Sequence, residues 1–265
     1  MIRVSVVLTT CLLLICWALP AYATTTCSYD FSSGSGNTYL SYCVTVDGNI
    51  LEIQTPFGQN MMGPNGEGYG LCDQNAQSGG IDYVDYAVLD TGNWDNAIIL
   101  SHSSTSVKIA RTTSDGRWTL TQTITKIPKT SSITVVMALK NNQTVADVAY
   151  LVRFVDAEPN SPGEYWLGGL NSALARSDHL DPNYGLQLSN VGIPPFGYWQ
   201  GFAQSVNTGP NACAFAFNEG NLAGPSGPDN LWYYKDTPPG SMEMAYVGTI
   251  GAGKTATVTL SYHGL

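Results

Sequence analysis

The sequence predicts an all-β protein, a large antiparallel β sandwich with little or no helix. Three observations lead to this prediction. Apolar residues recur at every second position in most segments, which is the period of a half-buried strand. Turn signals built from Gly, Pro, Asn and Asp separate these segments at short intervals, as in sandwiches and barrels. Thr and other neutral polar residues fill many alternate positions, so only 12% of the 265 residues are charged.

Two predicted hairpins open the pattern. Residues 39–46 and 50–54 flank Asp47-Gly48, which is a two-residue hairpin signal. Residues 107–113 and 117–127 flank a second turn, Ser114-Asp115-Gly116. Trp118, Leu120 and Ile124 share one face of the second strand, and Thr residues occupy the other face.

The next predicted strand, 148–155, is apolar on both faces, as a central strand buried on both sides would be. The remaining predicted strands are 133–139, 186–189, 213–217, 231–235, 242–249 and 255–262. Three Gly-rich stretches are expected to form long loops, which on a β scaffold are either functional or decorative: 56–80, 192–210 and 219–230.

The first 23 residues have the pattern of a secretory signal peptide. Arg3 supplies a positive charge, residues 4–19 are mainly apolar, and Ala21-Tyr22-Ala23 matches a cleavage site. The apolar run is shorter than the ~20 residues of a membrane-spanning helix, so no membrane span is expected after signal removal. We therefore expect residues 24–265 to form a single β-sandwich domain that is secreted, to an extracellular or periplasmic location.

Four cysteines follow the signal segment, and a secreted chain is expected to join them in two disulfides. They are Cys27, Cys43, Cys72 and Cys213. Three pairings are possible, and the spacing by itself does not choose among them. We favour Cys27–Cys43, which would tuck in the N-terminal segment, together with Cys72–Cys213.

The charge balance excludes several classes of protein. Eleven basic residues stand against 20 acidic ones, a net charge of −9, so the clustered cations of a nucleic-acid binder are missing. An aromatic content of 11% excludes a disordered acidic tail. Residues 248–255 match the phosphate-loop pattern, but a strand follows where that loop needs a helix, so we expect a hairpin turn there.

The middle of the chain resembles the large secreted β sandwiches of the galactose-mutarotase-like, or supersandwich, type. The similarity lies in residues 111–116, in a strand that ends in Leu139-Lys140-Asn141-Asn142, and in Arg153-Phe154-Val155-Asp156. The resemblance implies a supersandwich-like fold and favours a carbohydrate-related function. The catalytic His and Glu pattern of sugar epimerases is not identifiable in this sequence.

Aromatic residues beside Gly, Asn and acidic residues are the candidate glycan-binding groups. Sugar rings stack on Trp and Tyr, and the four candidates are Trp166, Tyr198, Trp199 and Trp232. The alternative is that these large rings fill the sandwich core.

The acidic loop after the central strand offers oxygen atoms at alternate positions. Asp156, Glu158 and Asn160 are therefore candidate ligands of a structural calcium ion, and a plain polar loop is the alternative. No other cofactor is indicated.

Catalytic residues are not identified by the sequence. A carboxylate pair for glycoside hydrolysis could come from six acids: Glu67, Asp82, Asp85, Asp156, Glu164 and Asp178. His179 lies beside Asp178, but neighbours on a strand point to opposite faces. Asn142-Gln143-Thr144 is an N-glycosylation signal only in a eukaryotic source.

The sequence is therefore compatible with two functions of different class. The first is a secreted β sandwich that binds or acts on carbohydrate through aromatic Gly-rich loops. The alternative is a non-enzymatic extracellular structural or surface-interaction protein. A concave aromatic cleft with convergent carboxylates would favour the first, and a closed surface with no cleft would favour the second.

Overall fold

The fold is built from antiparallel strands, as expected. The computed structural model describes residues 26–76, 80–87, 89–90, 93–159, 164–177, 184–204, 209–213, 232–235 and 240–265. One 3₁₀ turn, Gly36–Thr38, lies among eighteen strands. The strands are β1 Tyr29–Ser33, β2 Leu40–Val44, β3 Ile50–Gln54, β4 Met62–Asp73, β5 Ile81–Tyr86, β6 Leu89–Asp90, β7 Ile98–His102, β8 Ser106–Thr112, β9 Trp118–Lys126, β10 Ser132–Asn141, β11 Asp147–Ala157, β12 Glu164–Gly168, β13 Ser172–Ser177, β14 Gly185–Asn190, β15 Tyr198–Gln204, β16 Trp232–Lys235, β17 Ser241–Ile250 and β18 Thr255–Gly264.

Three sheets carry these strands. The nine-stranded sheet has the order β16-β12-β13-β14-β18-β10-β9-β8-β7, and the six-stranded sheet has the order β15-β17-β11-β4-β5-β6. Strands β1, β2 and β3 form a small third sheet. One core of buried apolar side chains, drawn from all three sheets, fills the space between the two large ones. The fold is therefore a large β sandwich.

The predicted alternation is confirmed in the nine-stranded sheet. In β10, the side chains of Ile133, Val135, Met137 and Leu139 are buried, and those between them are partly exposed. Strand β9 buries Trp118, Leu120 and Ile124, while its Thr residues lie on the other face. Both predicted hairpins, β2–β3 and β8–β9, are present. β11 is buried on both sides and occupies the middle of the six-stranded sheet, as a central strand should.

Two of the predicted loops are wrong. The 56–80 stretch contains β4, which pairs with both β11 and β5, and the 192–210 stretch contains β15, which pairs with β17. Glycine usually weakens a strand, which is why these stretches were expected to be loops. In β4, however, other parts of the chain approach the glycines closely and leave no room for larger side chains.

The expectation for residues 248–255 is also partly wrong. The segment is a turn, closed by the Lys254 backbone N–H donating to the Gly251 carbonyl at 3.0 Å. It is not a hairpin, because β17 belongs to the six-stranded sheet and β18 to the nine-stranded one. The turn carries the chain from one sheet to the other. Residues 212–213 are helical, which contradicts the start of the predicted strand 213–217; the rest of that strand lies outside the described residues.

The β2–β3 turn is held between the two large sheets by buried polar groups. Arg153 of β11 pairs with Glu67 of β4, and both side chains are fully buried. The Arg153 guanidinium also donates to the carbonyl of Gly48 at 3.2 Å. The Glu67 carboxylate accepts the backbone N–H of Ile50 at 2.8 Å and the hydroxyl of Tyr262 at 2.6 Å. This cluster joins both large sheets to the turn.

A second buried cluster holds the same turn from the other side. Arg111 of β8 forms an ion pair with Asp85 of β5. Asp85 also accepts the side-chain N–H of Asn49 at 2.6 Å, and the hydroxyl of Tyr69 donates to the carbonyl of Asp47 at 3.0 Å. Gly48 is required at the tip, because its φ is +91° and a Cβ there would lie 2.6 Å from the side-chain nitrogen of Gln122.

Two disulfides join the four described cysteines. Cys27 is bonded to Cys43, which ties the segment before β1 to β2. Cys72 is bonded to Cys213, which ties residues 209–213 to β4. These are the two pairs that the sequence analysis favoured.

The signal segment lies outside the described residues, so the cleavage site and secretion stay predictions. Within the described part of the chain, no helix has the length and apolarity needed to cross a membrane.

We expect Arg153→Met to lower the free energy of unfolding by about 3–5 kcal/mol, because it leaves the Glu67 carboxylate buried without its cation. Urea denaturation followed by circular dichroism measures this change. Lys140→Met is the matched control, since Lys140 is exposed on β10, and a surface change of this kind costs within about 0.5 kcal/mol. Equal effects of the two substitutions would contradict the role assigned to the buried cluster.

Candidate functional site on the outer face of the six-stranded sheet

Each strand of the six-stranded sheet has one face toward the core and one away from it, which we call the outer face. In β11, Leu151, Arg153 and Val155 lie on the inner face, so Tyr150, Val152, Phe154 and Asp156 lie on the outer one. Residues that pair with these positions on the neighbouring strands lie on the same outer face. Val152 pairs with Gly70 of β4 and with Ala245 of β17; Phe154 pairs with Gly68 and Glu243.

Glycines of β4 let other groups lie against the outer face. A Cβ on Gly68 would lie 2.3 Å from the Cβ of Tyr86, the neighbouring residue on β5. The Tyr86 ring meets the ring of Phe154 edge-on, at 6.2 Å between centroids. Tyr86 and Phe154 therefore form a short aromatic strip across the sheet, beside Glu243.

Glu243 is a fully buried acid on this face, and the neighbouring residues of β17, Met242 and Met244, point into the core. Burial raises the pKa of the Glu243 carboxyl well above its usual range. The inner-face acids differ, because Glu67 and Asp85 are each paired with an arginine. Strongly perturbed acids of this kind are candidates for functional groups.

Asp156 lies near Glu243. It pairs in register with Ser241, so Asp156 and Glu243 are diagonal neighbours on adjacent strands, at about 7–8 Å between Cα atoms. Asp156 is fully buried, and its carboxylate accepts the backbone N–H of Asn65 at 2.9 Å and the side-chain N–H of Asn65 at 3.1 Å. A buried acid of raised pKa beside a second carboxyl is an arrangement that acid–base chemistry uses.

The proposed calcium ligands are only partly placed by the structure. Asp156 and Glu158 are neighbours, since burial and then the charge of Asp156 raise the pKa of Glu158. Asn160 lies outside the described residues, so the calcium site stays a prediction. Among the described residues, one group of acids and cysteines has metal-like spacing: Cys27, Asp30 and Cys43. Both of its sulfur atoms are already joined in a disulfide.

Asp82 lies at the opposite end of the outer face, on β5. Burial raises the pKa of its carboxyl to about 6, and hydrogen bonds from the backbone N–H groups of Cys213 and Ala212 oppose that rise. Asp82 and Glu243 lie on strands separated by β4 and β11, so they do not form a catalytic pair.

The candidate residues Tyr198 and Trp199 lie on β15 and not in a loop. Tyr198 is on the outer face, 41% exposed, and its hydroxyl donates to Gln200 on the same face. Trp199 lies on the opposite face, packs against the core, and donates its indole N–H to Asn171 at 3.0 Å. The two rings therefore do not form one stacking surface.

Trp166 and Trp232 lie on strands β12 and β16, at the edge of the nine-stranded sheet. Their positions are known from the backbone register, in which Trp166 pairs with Tyr234 and Trp232 pairs with Gly168. Strand β15 lies next to both strands. The four predicted aromatic positions thus belong to one corner, where the edges of the two large sheets meet.

The other acids named from the sequence are not gathered at the outer face. Glu67 and Asp85 belong to the buried inner clusters, and Glu164 lies on β12. Asp178 and His179 lie outside the described residues. The sequence analysis missed Glu243, although the alternation of Met242, Met244 and Tyr246 along the strand would have placed it on the face opposite these core residues.

Comparison with solved structures identifies the architecture. A bacterial glucoamylase complexed with acarbose has a TM-score of 0.58 and 12% identity, over 91% of this chain and 33% of that protein. A galactose mutarotase-like protein from Lactobacillus casei has a TM-score of 0.52 and 9% identity, over 89% of this chain and 100% of that protein. This chain thus spans about a third of the glucoamylase. At such low identity the likeness shows the fold, and the galactose-mutarotase-like expectation is confirmed at that level.

No protein-family model matches this chain, and no curated protein matches it in sequence.

We expect Glu243→Gln to stabilise the protein increasingly as pH rises. The pKa of Glu243 is raised in the folded state, so its contribution to stability is complete below the unfolded pKa of about 4.3 and is lost as pH rises through the folded value. Gln has the same shape and does not ionise. Thermal unfolding over a pH series measures the difference between variant and wild type. Glu52→Gln, on the three-stranded sheet, is the control, and a pH-independent difference for Glu243→Gln would contradict the assignment.

Proposed function

We propose that this protein binds a neutral carbohydrate on the outer face of its six-stranded sheet. The observation that carries the proposal is Glu243, a buried acid of raised pKa on that face beside the aromatic residues Phe154 and Tyr86. A protonated carboxyl both donates and accepts hydrogen bonds, which is the property that sugar hydroxyls require. Aromatic rings add the flat apolar surface on which sugar rings stack.

The charge of the outer face supports a neutral ligand. Its described side chains include the acids Asp82, Asp156 and Glu243, and none of those described is Lys or Arg. Three arginines are paired with acids that face the core: the buried Arg111 and Arg153 and the partly exposed Arg117. A uronate or sulfated sugar would meet like charge on this face and gain no described cation.

Among the described aromatic residues of this face, Tyr198 is the most exposed, so a ligand from solvent meets it first. Its ring is 41% exposed, whereas Glu243 has no exposed surface and Gln200 has only 4%. We propose that the ligand contacts Tyr198 from solvent and that the surface continues toward Trp166 and Trp232 at the adjoining sheet edge. Trp199 contributes to packing there, because its ring faces the core.

The structural neighbours support the same class of ligand. One of them is a glucoamylase crystallised with acarbose, and another is a galactose mutarotase-like protein. We also propose that the chain is secreted, which its two disulfides and the N-terminal pattern support.

A non-enzymatic structural or surface-interaction protein is the second candidate. It is favoured by the covering of part of the outer face, where Val152 has no exposed surface and packs with Ala212 of the 209–213 segment.

We expect Tyr198→Ala to weaken glycan binding roughly tenfold, about 1.4 kcal/mol, because it removes the exposed ring of the outer face. A glycan array of neutral and anionic sugars identifies the ligand, and calorimetry then compares the variants. Phe57→Ala is the matched control, since Phe57 is an aromatic residue 73% exposed in the connection between β3 and β4. An array without any bound sugar would reject carbohydrate binding and favour the second candidate. Equal affinities of Tyr198→Ala and wild type would show that the ligand does not bind at this part of the outer face.

A further inference from the structure

Residues 209–213 lie across the outer face of the six-stranded sheet. A Cβ on Gly70 would lie 1.8 Å from the carbonyl oxygen of Pro210, so only glycine admits the segment at this distance. A Cβ on Gly209 would lie 3.2 Å from the ring of Tyr86. Ala212 has no exposed surface. The segment is therefore packed against the sheet.

Two contacts of Cys213 anchor the segment. Cys213 is bonded to Cys72 of β4, and its backbone N–H donates to the Asp82 carboxylate at 3.4 Å. Gly80 leaves space for the disulfide, because a Cβ there would lie 2.9 Å from the sulfur of Cys72. Buried side chains of the segment and of the sheet beneath it form a small cluster separate from the main core: Cys72, Tyr150, Val152, Ala212, Cys213 and Ala245.

The covered surface adjoins Glu243. Gly70, Val152 and Ala245 form one row across the sheet, and the next row contains Gly68, Phe154 and Glu243. Glu243 and Phe154 have no exposed surface, and the covered row lies between them and the exposed residue Tyr198, which pairs with Val247. A ligand that extends from Tyr198 to Glu243 must therefore cross the row that the segment occupies. The segment and such a ligand therefore compete for the same surface.

We propose that residues 209–213 form an autoinhibitory cover, clamped to the outer face by the Cys72–Cys213 disulfide. This inference rests on the proposed function, because it assigns regulation to the same face. When the binding-competent state is only a fraction of the population, the apparent affinity falls by that fraction. Weakening the clamp raises the fraction and so raises the affinity.

Gly70→Ala tests the cover without altering a cysteine. The added methyl group must displace the Pro210 carbonyl, whereas Gly197→Ala, also next to the six-stranded sheet, has no atom closer than 3.9 Å and serves as the control. Hydroxyl-radical footprinting of Tyr150, which is 4% exposed under the segment, measures the cover directly. We expect labelling of Tyr150 to increase several-fold in Gly70→Ala and to stay at the wild-type level in Gly197→Ala.

Cys72→Ser/Cys213→Ser is the second variant, and it keeps the proposal testable if Gly70→Ala does not fold. Its control is Cys27→Ser/Cys43→Ser, which removes the other disulfide. Thermal unfolding verifies that each variant is folded before it is labelled. Unchanged protection of Tyr150 in both test variants would overturn the cover.

Binding of the neutral oligosaccharide selected on the array then decides the inhibitory role. We expect both test variants to bind it several-fold more tightly than wild type, and both controls to bind it equally. Tyr150 labelling that rises while affinity stays unchanged or falls would overturn autoinhibition. If no variant binds any sugar, carbohydrate binding and autoinhibition both fail, while the labelling still decides whether the segment covers the face.

Discussion

The buried pairing of Arg153 with Glu67 is the interaction on which the rest of the sandwich depends. The two side chains come from neighbouring central strands, β11 and β4, and both point into the core. Their remaining hydrogen bonds reach Tyr262 in the opposite sheet and the Gly48 carbonyl in the β2–β3 turn. Isolated charges in such a core would be very unfavourable, so each group requires the others to be in place. The cluster therefore fixes the positions of three sheets at once.

The two faces of the six-stranded sheet differ in their ion pairs, because Arg111, Arg117 and Arg153 are each paired with acids of the inner face. Inner-face acids receive a cation within the sandwich, as Asp85 does from Arg111. On the outer face, burial raises the pKa of Glu243 and of Asp82. A core acid that is paired with an arginine specifies structure, whereas a buried acid with a raised pKa on the opposite face is a candidate for a functional group. This contrast is what separates the candidate site from the structural clusters.

Much of the architecture could be predicted from the sequence, but the candidate site could not. Alternation in β9 and β10 is a local pattern, so their buried residues followed directly from the sequence. Strand β4 was mistaken for a loop because its glycines are unfavourable in an isolated strand. They are needed only because Tyr86 and Pro210, both distant in sequence, lie against them. Asp156 was recognised as an acid in a polar segment, whereas its neighbour Glu243 was hidden within an apolar strand.

The sequence by itself determined the all-β class, the turns and the alternating burial, because these depend on residues that are neighbours along the chain. Its favoured disulfide pairs also match the structure. Only the tertiary structure decided which acids receive a cation, that Tyr198 and Trp199 lie on opposite faces, and that residues 209–213 cover the sheet. The physical reason is that these features depend on strand order and register between distant segments, such as β4 with β11 and β11 with β17. A period of two is the same whichever strand lies alongside.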